Sequence, residues 1–184
     1  MKKIILSFLT ALFAVILLAK PALANDSKIL MAGTSAVLKD EFLINKEGCR
    51  IGKLRNFLES YNSPFSTKAT YLVEITDKYG IDWKLIPAIS GVESTFGRQI
   101  PYNSYNAYGW ANGTYKFNSW EESFEKVAKT LKEKYIDRGL DTPEKIGPVY
   151  APPSKTWASK VRYFMNKLES FETKDCIKTL SLTI

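Results

Sequence analysis

The sequence predicts a mainly α-helical domain interrupted by one loop-rich insertion with a short β-hairpin. Three observations carry that expectation. Of the 184 residues, 45% are hydrophobic and 13% aromatic, enough for a packed core. From residue 51 onward, apolar residues recur at three- and four-residue spacing, the period of a helix face. Between Phe96 and Asn118 that period stops, and Gly97, Gly109 and Gly113 alternate with Asn103, Asn106, Asn112 and several large aromatics.

Residues 1–24 read as an export signal. Lys2 and Lys3 form its basic start, Ile4 to Ala19 is an apolar run broken only by Ser7 and Thr10, and Ala22-Leu23-Ala24 is a small-residue cleavage box. The apolar run has 16 residues, short of the ~20 that span a bilayer, so membrane association through an uncleaved anchor is the minor alternative. Removing the signal leaves 160 residues with 23 basic and 19 acidic groups. That net charge of +4 is too small and too evenly spread to indicate nucleic acid, and it suits ordinary solubility as well as work beside an anionic polymer.

Residues 25–50 are weakly periodic and are expected to form a partly ordered lead-in. Leu54, Phe57, Leu58 and Tyr61 then mark a short helix stopped by Asn62-Ser63-Pro64. A second helix is expected from about Thr67 to Tyr79, with Gly80 as its stop. Asp82 is a plausible N-cap for a third through Trp83, Leu85, Ile86, Ile89 and Val92, although Pro87 means that this helix either kinks or begins later. After the insertion, whose hairpin turn would be Asn112-Gly113, Ser119-Trp120-Glu121-Glu122 matches a capping box ahead of Phe124, Val127, Ala128, Leu131 and Tyr135. Thr142-Pro143 opens a short turn that Gly147-Pro148 closes. A last helix from near Ser154 buries Trp157, Val161, Phe164, Leu168 and Phe171, and residues 176–184 form a tail.

The two cysteines, Cys49 and Cys176, are separated by 126 residues. They are either two free thiols or one disulfide, which export and an even count favour. Loop-closure entropy values such a bridge at roughly 4 to 5 kcal/mol before strain.

Histidine is absent. That excludes a Ser/His/Asp triad, a Cys/His dyad and any metal site built on imidazole. The acidic residues are scattered, so no metal is expected, and the glycines lack the spacing of a phosphate-binding loop; no cofactor follows. Among the acids, Glu93 stands out. It ends an otherwise apolar helix just before the irregular segment, where the helix dipole and burial would favour the protonated carboxyl that a general acid needs. The bland alternative is a solvated glutamate at a helix end. Downstream, Tyr102, Tyr105, Tyr108, Trp110 and Tyr115 interleave with asparagines, a lining suited to stacking on sugar faces and bonding their hydroxyl and acetamido groups. Some of these rings must instead pack beneath the loop, Trp110 and Phe117 first among them.

The string Ala88-Ile89-Ser90-Gly91-Val92-Glu93-Ser94-Thr95-Phe96-Gly97-Arg98 resembles the E-S-x-[FW]-G element of the bacterial glucosaminidase family, in the lysozyme-like superfamily that also holds the lytic transglycosylases. Tyr105-Asn106-Ala107-Tyr108-Gly109-Trp110 is similar to that family's N-x-[FY]-G-[IW] element. Phe117-Asn118-Ser119-Trp120-Glu121-Glu122-Ser123 resembles its S-W-x-E-S helix start, and Val149-Tyr150-Ala151 with Trp157-Ala158-Ser159-Lys160-Val161 resembles its tyrosine-alanine element and final helix. The resemblance covers about residues 67–168. It implies a lysozyme-like (α+β) domain and an endo-β-N-acetylglucosaminidase-like hydrolase acting on peptidoglycan glycan strands; with the signal, the expectation is an exported, monomeric protein with that domain over 51–175. In that reading Glu93 is the general acid, Tyr150 is a cleft residue near it, and Ser94, Phe96, Tyr105, Asn106, Tyr108 and Trp110 are the candidate sugar contacts. Tyr150 is alternatively a core residue.

The departures matter as much. No Asp or Glu lies between Glu93 and Glu121, so the second carboxylate of common glycosidase schemes has no obvious bearer, and assistance by the substrate's own acetamido group is the expected substitute. The G-L-M-Q string typical of lytic transglycosylases is missing, which leaves that activity, or a muramidase's, as an alternative. A non-catalytic glycan-binding module is a further one.

Overall fold

The computed structural model describes residues 46–173 and Cys176 of the 184-residue chain. The expected export signal, most of the lead-in and the tail from residue 177 lie outside the described residues.

Within them the protein is mainly helical. Helix α1 occupies residues 46–60, so helical structure begins within the expected lead-in and Cys49 sits on a helix. A 3-10 turn, Ser66–Lys68, leads into α2 (Ala69–Lys78), followed by α3 (Leu85–Ser94). After an irregular segment, 95–119, come α4 (Trp120–Lys134), a 3-10 turn at Ile136–Arg138, α5 (Pro143–Tyr150) and α6 (Trp157–Glu169).

Local chemistry explains the boundaries. Asn62 at φ 52° ends the α1 turn, and Gly80 at φ 62° reverses the chain after α2. Asp82 accepts the Lys84 N–H one turn before α3 begins. The helix therefore starts at Leu85, and Pro87 is its third residue, where the missing N–H has no intrahelical acceptor to lose. At α4 the Ser119 hydroxyl caps the Glu122 N–H, and Glu122 reaches back to the Asn118 N–H rather than to that of Ser119. Thr142 caps α5 with Pro143 in its first turn, and that helix runs on through Pro148 to Tyr150 instead of closing as a turn.

Helix α3 is buried on nearly every side, from Leu85 to Gly91. It packs on α6 and α4, while α5 lies on α6 and α2 on α4. Such all-round burial suits its uniformly apolar sequence. On α6 the buried stripe is Trp157, Val161, Met165 and Leu168, with Phe164 and Phe171 half-buried. Beneath α3, Phe96 packs among Phe57, Tyr61 and Phe164 at ring separations of 4.4 to 5.4 Å. Gly91 permits this: a β-carbon there would lie 2.6 Å from Cζ of Phe96. A disulfide joins Cys49 on α1 to Cys176 beyond α6, with Cα atoms 4.7 Å apart.

The expected hairpin is absent, and no strand occurs among the described residues. Ala111, Asn112 and Gly113 all have positive φ (51°, 54° and 83°). Three left-handed residues in succession wrap the chain so tightly that the Gly113 N–H reaches the carbonyls of both Gly109 and Trp110. The flanks consequently never extend into a ladder.

Candidate active site

Glu93 stands in the last turn of α3, beside a cleft of about 390 Å³. The cleft is also lined by Val127, Thr130, Leu131 and Tyr135 on and after α4, by Tyr108, Gly109 and Trp110 of the irregular segment, and by Tyr150 and Ala151 at the end of α5. This volume lies within the range of sites that hold a small ligand. Expected to be partly buried, Glu93 is exposed instead.

Its carboxylate is nonetheless held. Oε1 accepts a 2.8 Å hydrogen bond from the indole Nε1–H of Trp157, the first residue of α6. Oε2 lies on the Gly109 side, 3.7 Å from where a β-carbon of that glycine would be. Gly109 has φ 65° and presents no side chain to that oxygen.

Tyr150, the last residue of α5, lies against Trp157 with ring centroids 4.8 Å apart and donates its hydroxyl to the Tyr108 carbonyl at 3.3 Å. Burial, and then the negative charge of Glu93, hold that hydroxyl well above the ordinary tyrosine range. It therefore remains a neutral donor across physiological pH. Burial likewise pushes up the Tyr108 hydroxyl, which has no hydrogen-bond partner among the described residues. Glu93 is the one acid among the described residues lining the cleft. No three acidic, cysteine or histidine side chains among the described residues gather as a metal ion would require.

No known family model matches the chain, and no curated protein matches it. The assignment of chemistry consequently rests on the residues themselves.

Of the expected sugar contacts, Tyr108 and Trp110 line the cleft with Glu93 and Tyr150. The others are placed differently. Ser94 is buried, donating to the Ala107 carbonyl at 2.8 Å and accepting the Gly97 N–H at 3.0 Å, so it ties the segment to the helix end. Phe96 is fully buried in the aromatic cluster. Asn106, 2% exposed, has its side-chain amide taken up by its own loop: it accepts the Trp110 N–H and donates to the carbonyls of Trp110 and Tyr115. Tyr105 packs edge-on against Trp120 and lines a separate hollow with Arg98 and Tyr102. These four position or flank the cleft rather than line it.

Trp157 is the partner that the sequence pattern hid. Helical spacing reads it as core, and it is buried, but a buried indole N–H also requires an acceptor. That requirement is the one signal that could have pointed to a polar neighbour.

Proposed function

We propose that this chain is an exported peptidoglycan hydrolase that cleaves β-1,4 glycosidic bonds of the glycan strand, with Glu93 as its general acid. The observation that carries the reading is one carboxyl group, anchored at a single oxygen, on an aromatic cleft with no second acid among its described lining. Export is supported by the signal-like start of the sequence and by the Cys49–Cys176 disulfide.

In this mechanism a sugar lies along the cleft against the half-exposed ring of Trp110. The protonated Glu93 transfers its proton to the glycosidic oxygen as the bond from that oxygen to C1 breaks, and the bonding pair departs with the leaving sugar. Two-carboxylate schemes require a second acid about 5 to 9.5 Å away. Here the electron deficiency at C1 is met by the oxygen of the substrate's own 2-acetamido group, which bonds to C1. Water then attacks C1, the oxygen bridge opens, and the Glu93 carboxylate accepts the proton released by the water. Tyr150, kept neutral with its one hydroxyl hydrogen given to the Tyr108 carbonyl, offers its oxygen as an acceptor toward a hydroxyl or the acetamido N–H of the bound sugar.

The lone acid equally suits a second reading, in which the muramic 6-hydroxyl rather than water closes onto C1 and gives an anhydro sugar. Mass spectrometry of digested muropeptides separates the two, since the anhydro product is lighter by one water. The parent chain is expected to clear purified peptidoglycan, and Glu93→Gln to slow clearance by about 10²- to 10⁴-fold. Parent-rate clearance by Glu93→Gln would overturn the proposal. Binding of the insoluble polymer without clearance would reassign the chain as a glycan-binding module.

A further inference from the structure

The two oxygens of Glu93 occupy unlike surroundings. An indole N–H can donate but never accept, so the atom 2.8 Å from it must act as an acceptor whether Glu93 is ionised or neutral. The ring cannot swing away to release it. Trp157 is buried, packed at a tilt against Tyr150, and seated over Gly147, whose β-carbon position lies 3.4 Å from Cε3 of the ring. On the other side, Oε2 faces Gly109, which also lines the cleft.

We infer that Trp157 is a positioning residue that selects the proton-bearing oxygen of Glu93: by occupying Oε1 it leaves Oε2 to carry the proton and deliver it to substrate. This rests on the hydrolase reading for the delivery step, but the hydrogen bond that fixes the proton belongs to the resting protein. A carboxyl without that donor would rotate and place its proton on either oxygen, and only one of the two arrangements is productive. Misplacement of this kind lowers turnover without weakening binding of the sugar.

The test uses the full chain and two readouts. In ¹H–¹⁵N spectra, the assigned Trp157 indole resonance is expected to move with pH as Glu93 ionises and to become flat in Glu93→Gln, a variant at an exposed position. The other titratable groups among the described cleft residues, Tyr108, Tyr135 and Tyr150, are all held above the ordinary tyrosine range by burial and stay neutral over the acidic span of the titration. In clearance assays, Trp157→Phe keeps an aromatic ring but removes the donor, and is expected to lower kcat at least tenfold with KM within twofold of the parent. An indole resonance that ignores Glu93→Gln would overturn the inference, even if Trp157→Phe fails to fold. So would a folded Trp157→Phe with parental kcat. A pH-responsive indole in a parent chain with no glycosidase activity would refute the hydrolase reading and the delivery role together, while parental activity with an unresponsive indole would refute only the positioning.

Discussion

Around α3 the helical frame buries Leu85, Ile86 and Ile89 against neighbouring helices, whereas the segment from 95 to 119 is shaped by buried polar groups that bond its own backbone: Ser94, Ser104 and Asn106. Apolar burial is spread over many side chains, and loss of one costs the fraction of area it covered. A buried amide that satisfies three backbone groups is different, since its removal strands all three at once. The frame is consequently tolerant in shape, and the segment that carries Tyr108, Gly109 and Trp110 depends on a few atoms.

Three experiments break or sharpen this contrast. The largest expected effect lies in the frame: replacing Cys49 and Cys176 together by serine should cost about 3 to 4 kcal/mol in thermal or denaturant unfolding. Activity measured well below the lowered melting temperature should stay within twofold of the parent, and a larger fall would mean that frame and site are not separable. Next comes Asn106→Ala, expected to cost about 2 to 3 kcal/mol and to reduce clearance at least tenfold, since Trp110 and Tyr115 lose their shared anchor. A variant that is destabilised but fully active would show that the segment does not shape the cleft.

The smallest effect concerns the surface ion pair of Arg162 on α6 with Glu144 on α5. The guanidinium's hydrogen bonds hold the Glu144 carboxyl down at about 2, against an ordinary value of 4.5. A lowered carboxylate stabilises the fold fully above its unfolded-state value and loses that contribution as pH falls toward 2. Both side chains are substantially exposed, so the gain is under ~1 kcal/mol. Arg162→Ala should therefore remove a shallow part of the acid dependence of unfolding between about pH 4.5 and 2, leaving activity at neutral pH unchanged. A steeper acid dependence in the variant would contradict that sign.

How much was legible in the sequence follows the same division. The frame could be read because Leu54, Phe57 and Leu58, or Val127, Ala128 and Leu131, announce a helix face by spacing alone, and because Ser119 and Thr142 announce caps by chemistry. The segment resisted. Asn112-Gly113 permits either a hairpin or a left-handed wrap, and Asn106 bonding Trp110 and Tyr115 from inside selects the wrap. The same long-range choice decides whether a loop asparagine faces a ligand or its own backbone, which spacing does not encode. Glu93 was legible as a polar residue out of place on an apolar helix. Trp157 was not, because a core ring and a carboxylate's partner have the same position in the pattern.

The notch at Gly91 has a consequence for how this site could be altered. Phe96, five residues further along, folds back and rests its ring where a side chain at 91 would stand, so the helix that bears the carboxylate is clasped by its own continuation. Even one methyl there would prise the clasp apart and tilt Glu93, two residues on, away from the Trp157 indole. Retuning of the proposed reaction would therefore enter through Thr130, Leu131 or Tyr135, cleft residues on and after α4 that lie outside this clasp.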